Sequence, residues 1–330
     1  MAEGLLEFEA GQVQYPWEEL TDAGDGMTFE ASNAPWSVQG DVPTQVKPYG
    51  IETGGRATPG EAADHVHIAA MTVAMPGSPA ANENGVVTVA ADDVEIQRGT
   101  ESDPFRVTAI TVNEDGNLVA VAGDAHTAFD DDHGKNGGPP LIPTTSVLVC
   151  IVRTNSHESA VLTSSEIMSI SGVHREESMF PIFGRPDYAR GAVSFRSELP
   201  KIHTGDKPKK VFAIYATPVF QDLPDTTDYV PAETSHSVSS TETHQGARGS
   251  RSSSLNAATF NVILDDGITE PLMRQRDREI WFRWRPNPSR DLPYQLTLGT
   301  LGIARTNPAS GDRTASCTIA AESASVDVTE

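Results

Sequence analysis

Apolar residues come along this chain in short bursts. They fall at alternate positions or in brief unbroken runs, and almost nowhere at the three-to-four spacing of a helix face. "HVHIAAMTVAM" (His65–Met75), "GVVTVAA" (Gly85–Ala91) and "TSVLVCIV" (Thr145–Val152) each read as one strand. "FRVTAITV" (Phe105–Val112) and "NLVAVAG" (Asn117–Gly123) flank Asn113-Glu114-Asp115-Gly116, where a glycine that accepts positive φ predicts a hairpin. "KKVFAIYATPVF" (Lys209–Phe220) is apolar on both faces, as a central strand covered on two sides would be. "ATFNVIL", "EIWFRWR" and "YQLTLGTLGIA" continue the pattern, with Ile280, Phe282 and Trp284 on one face of their strand. In the last segment Cys317, Ile319 and Ala321 fall on odd positions, and Ala324, Val326 and Val328 on even ones. That change of parity predicts a β-bulge in one strand running nearly to Glu330. A strand at a chain end is expected to pair with something.

The only strong helix signal is "TEPLMRQRDRE", with Thr269 as cap, Glu270 beside the positive end and Pro271 in the first turn. The expected fold is therefore all-β, a sandwich or barrel-like architecture with one or two short helices. Glycine (27) and proline (23) supply the many turns this requires. Residues 1–60 read as an extended N-terminal arm, anchored by Trp17 and Trp36. A first β unit is expected over 61–185 and a second over 186–330. Their shared order of strands, long loop and strands suggests two β units in one chain. No period of repeats recurs.

Two segments break the apolar rhythm. "FDDDHGKNGGPPLIP" carries Pro139, Pro140 and Pro143 and three adjacent aspartates, so it is expected to be a loop. Residues 230–254, containing "TSHSVSSTETHQGARGSRSSS", are almost purely small and polar, and taken alone they resemble a disordered linker. Yet strands lie on both sides, and Ser, Thr and Val alternate within it. Two readings are open: a mobile loop, or a polar hairpin that projects from the body and finds its backbone partners on a neighbouring copy. On the second reading Ser235, His236, Ser237, Glu242, His244, Arg248 and Arg251 are candidates for contact between subunits. Val326 and Val328 of the terminal strand join them.

Hydrophobic residues make up 38% of the chain and charged ones 21%, enough for a core. With 46 acidic against 24 basic residues the formal charge is −22, which repels phosphate backbones and disfavours ordinary DNA binding. Cys150 and Cys317 sit in apolar strands and are expected as buried free thiols. Neither a secretory signal nor a membrane span is expected. Catalytic signatures are missing: there is no nucleophile elbow, P-loop, H-E-x-x-H or paired C-x-x-C. His65 and His67, with Asp64 and the Asp130–His133 cluster, offer metal-ligating residue types only if the fold converges them. No enzyme activity, cofactor or metal is expected.

Several segments resemble the major tail tube proteins of long-tailed, non-contractile bacteriophages. They are "GVVTVAADDVEI", "FRVTAITV", "GGPPLIP", "GAVSFRSELPKIHTGDKPKKVFAIYATPVF", "SHSVSSTE", "SLNAATFNVILDDG" and "YQLTLGTLGIARTNPASGDRTASCTIAAESASV". They cover most of the chain from about residue 85 onward. The resemblance implies a β-sandwich with one short helix. It implies self-assembly into rings of six, or of three if the fold is duplicated, stacked into a tube. It also implies contacts with a tape-measure protein and tail terminator proteins, DNA only in transit through an acidic lumen, and a place in the virion tail after synthesis in the host cytoplasm. A capsid decoration or receptor-binding β-sandwich is the alternative from the binding class, and a metal-dependent hydrolase at His65 and His67 is the alternative from the enzyme class.

Overall fold

The computed structural model describes residues 3–40, 43–169, 183–223, 225–243, 246–265, 267–268 and 270–329. Among them strand is almost the only regular structure, the exception being a single helical turn, Pro271–Arg274. The all-β expectation holds.

The largest element is a nine-stranded antiparallel sheet. Its order is Thr226–Val230, Ala258–Leu264, Arg313–Ala321, Tyr294–Thr306, Glu279–Arg285, Glu3–Glu19, Val211–Leu223 and Gln45–Pro48, with Val326–Val328 also paired to Tyr294–Thr306. Strands near opposite ends of that order, Val211–Leu223 and Thr226–Val230, are separated by only two residues of chain. The sheet must therefore curl back on itself. One face of the curl encloses Leu6, Phe260, Val262, Ile280, Phe282, Leu301, Cys317 and Ile319. Leu272 of the helical turn plugs the same core. Phe260 and Phe282 stack at its centre, with centroids 4.3 Å apart. At Gly4 a side chain would meet Thr226 at 2.9 Å and Phe282 at 3.1 Å, so glycine permits the closure.

The N-terminal segment differs from the arm expected of it. Glu3–Glu19 is a 17-residue strand between Val211–Leu223 and Glu279–Arg285. The reason is that Leu5 and Leu6 are buried on opposite faces, which suits an interior position in a sheet. Of the two tryptophans, Trp36 is fully buried and Trp17 packs partly buried against the neighbouring core.

Residues 50–169 form three smaller antiparallel sheets around a second core that includes Ile68, Val73, Val87, Ile110, Val149 and Val152. The predicted hairpin is present as Arg106–Val112 and Leu118–Ala122, with Gly116 at φ +79 and its N–H bonded to Asn113 O at 3.0 Å. Val211–Leu223 joins the cores, as a strand apolar on both faces should. Phe212 stacks on Tyr49 in the second core, while Val211, Ala213 and Tyr215 face a third cluster with Trp36 and Phe195. Cys150 and Cys317 are free and buried.

Two local expectations need correction. The helix is one turn rather than a run over Thr269–Arg276. Thr269 lies outside the described residues, and Glu270 occupies the cap position without a side-chain cap bond. Asp277, at φ +62, ends the turn by giving its N–H to Leu301 O at 2.8 Å. The parity change near the C-terminus is a break, not a bulge inside one strand. Arg313–Ala321 and Val326–Val328 are separate strands on the same neighbour, and Glu322, Ser323, Ala324 and Ser325 stand against Thr297 and Leu298 alone.

Candidate assembly surface

The polar segment is a hairpin. Thr234–Thr243 and Gly246–Leu255 pair in unbroken register from Thr234↔Leu255 to Thr243↔Gly246. They form a two-stranded sheet by themselves, with no third strand on either edge among the described residues. Ten residues per strand make a ribbon about 33 Å long. Ser235, His236 and Ser237 are exposed, as are all residues from Arg251 to Ala257. Ser235 and Ser254 hydroxyls meet at 2.9 Å, and Ser237 and Ser252 at 2.6 Å. The register sets Val238 opposite Arg251, Thr241 opposite Arg248 and Glu242 opposite Ala247. His244 lies outside the described residues.

The ribbon is tied at its root. Asn256 N–H bonds to Glu233 O at 3.0 Å, closing the base. Ala232 and Ser325 then clasp each other: Ser325 N–H donates to Ala232 O at 2.7 Å, and Ala232 N–H donates to Ser325 Oγ at 2.8 Å. The Ser325 and Thr297 hydroxyls meet at 2.7 Å, and Tyr229 Oη meets Thr297 Oγ1 at 2.7 Å. One hydroxyl network thus fastens both the ribbon and the turn that precedes Val326–Val328. The two groups of candidate contact residues, far apart in sequence, share a root. Val326 is 40% exposed, an apolar side chain left open on the sheet.

On the face opposite the enclosed core, two cross-strand rows reach this terminal strand. In one, Val326 pairs with Leu296, Leu296 with Arg283, Arg283 with Leu5, and Leu5 with Asp222. In the other, Val328 pairs with Tyr294 and Arg285 with Glu3. Sequence reasoning missed Arg283 and Arg285, although their alternation in "EIWFRWR" put both on one face. A cleft of about 270 Å³ lies beside the rows, lined by Tyr188, Trp281, Leu296, Leu298 and Val326, with Arg185 bridging Glu279 and Glu322 at its rim.

The residues weighed for metal chemistry do not come together. His65 Nδ1 bonds to Ala63 O and His67 Nδ1 to Asp93, each at 2.7 Å. Asp64 instead accepts from the Arg98 guanidinium and the Ser159 hydroxyl, which hold its carboxyl below the usual range against the opposing effect of burial. Asp131 pairs with Arg153 at 2.8 Å. Among the described residues no three His, Cys, Asp or Glu side chains converge on a point. No helix of the described residues is long and apolar enough to cross a membrane.

No family model matches the sequence, no curated protein matches it, and no solved structure matches its fold.

Proposed function

We propose that this chain is a self-assembling structural subunit of a phage tail tube, whose stacked rings form the channel for DNA delivery. The observation that carries the reading is the free-standing ribbon. A two-stranded hairpin in water is marginal at best; among the described residues this one has no third strand, and its sequence supplies few apolar residues. Ten paired residues of such sequence are retained at an entropic cost that contact with another molecule can offset. The ribbon's outer backbone rows fit the sheet edge of a second copy. The open terminal strand at the same root supports the same reading, as does the resemblance of the sequence segments to tail tube proteins.

Catalysis has no part in this function. The acidic surface suits a conduit, because a bore of negative charge keeps passing DNA from adhering. The expected outcome of negative-stain electron microscopy on the concentrated full chain is rings and tubes with an open bore. A discrete monomer or closed small oligomer at every concentration sinks the reading and favours a decoration or receptor-binding protein.

A further inference from the structure

Arg283 is a charged side chain held in place without an anion. It is wedged between two rings, with its guanidinium carbon 4.2 Å from the Phe220 centroid and 5.4 Å from that of Tyr294. No carboxylate lies within ion-pair distance of it among the described residues, and its Nε is buried without an acceptor. Arg285, two residues on and on the same face, has a buried, unbonded Nε as well, and its ion pair with Glu3 is long, at 3.7 Å. Burial, and then the positive charge of Arg285, hold the Arg283 pKa below the usual arginine value. Tyr294, Glu3 and Asp291 act in the opposite sense and are outweighed. A guanidinium whose Nε is buried without an acceptor costs stability, yet among the described residues none of the chain's carboxylates is placed to pair with Arg283.

That frustration is what a binding site looks like when its partner is absent. Two aromatic faces fix the plane of Arg283, so little entropy remains to be lost when an anion arrives. The planar fork matches the two oxygens of a carboxylate. Around it the rows supply Leu296, Tyr294, Val326 and Val328, an apolar rim that would exclude water from the pair.

We infer that Arg283 and Arg285 form the anchor of a subunit interface, receiving an aspartate or glutamate side chain from a second copy of this chain. Charge complementarity picks the occupant: each copy carries 46 acidic against 24 basic residues, a net charge of −22, so carboxylates outnumber every other charged group it can offer to the aromatic-flanked Arg283. The inference rests on the self-assembly reading and names one of its contacts.

The test separates binding from folding. Full-length wild type, R283M, R283K and the R283Q R285Q double variant are compared by thermal melting and by sedimentation across a concentration series. R283M is expected to melt no lower than wild type, since it removes an unpaired charge and keeps the packing stem, while its assembly requires at least tenfold more protein. R283K keeps the charge but not the fork and is expected to fall between them. Variants that melt normally and assemble at wild-type concentrations overturn the inference and leave self-assembly standing. A wild type that never assembles overturns both. A variant that melts well below wild type shows Arg283 to be structural and also overturns the inference. A short single-stranded DNA added to each protein covers the other occupant: binding lost in the double variant, with assembly unchanged, assigns the patch to nucleic acid instead.

Discussion

Glu7 and His203 are buried, titrate within the accessible pH range, and oppose each other. Glu7 is fully buried in the long N-terminal strand. Its carboxyl accepts from the Ser37 hydroxyl, the Gln12 amide at 3.3 Å, Val38 N–H at 3.2 Å and Trp281 N–H at 3.3 Å. Burial outweighs these donors and pushes its pKa from 4.5 up to about 7. Between those values the folded chain holds a proton that the unfolded chain releases, so stability falls as pH rises through the window. His203 does the reverse. Burial, aided by the positive charge of Lys209 and opposed by its bond to Ser146 O, lowers its pKa from 6.5 to about 4. Below pH 6.5 the unfolded chain takes up a proton that the folded one refuses, so stability falls as pH drops through that window. Each slope is at most about 1.4 kcal/mol per pH unit. In wild type the two nearly cancel between pH 4.5 and 6.5. Urea melts of E7Q are expected to show stability rising with pH there, and melts of H203Q to show it falling. Parallel profiles in all three proteins would disprove both assignments.

At the scale of elements, the ribbon and the C-terminal strand are separable from the core but not from each other. Replacing Ser235–Ser254 with a tight turn removes no residue of the enclosed core, so the melting temperature should hold within a few degrees while tubes are lost. Normal tubes from the deleted protein would show that the ribbon makes no inter-subunit contact. Ser325→Ala tests the shared root. It leaves Ala232 N–H without its acceptor and removes a partner of Thr297, with an expected cost of about 1–2 kcal/mol. Hydrogen exchange should then rise at Ala232 and along Val326–Val328 together. A rise confined to one of them would mean that the network does not couple them.

For the whole molecule, the charge of −22 sets the conditions of assembly. Copies repel over the Debye length, which is about 30 Å at 0.01 M salt and 8 Å at 0.15 M. Raising salt across that range should therefore lower the protein concentration at which assemblies appear in light scattering. Buried contacts such as the one inferred for Arg283 are screened less and should survive it. Assemblies that dissolve on raising salt would show that surface ion pairs, not sheet contacts, hold the copies together.

The alternation of apolar residues was enough to determine the all-β class, the hairpin at Asn113–Gly116, the doubly covered strand through Phe212 and Tyr215, the two buried thiols and the polar segment as something distinct from the core. These are local properties, since side-chain period and turn chemistry act within a few residues. The N-terminal strand was not legible, because its place depends on Val211–Leu223 and Glu279–Arg285, some two hundred and more residues away. Nor was the Ala232–Ser325 clasp, the single-turn helix or the unpaired state of Arg283. A partner's presence or absence is a fact about three-dimensional neighbours. Sequence spacing put Arg283 and Arg285 on one face, but only the closed sheet decided that Phe220 and Tyr294 flank Arg283 and that, among the described residues, no carboxylate lies within ion-pair distance of it.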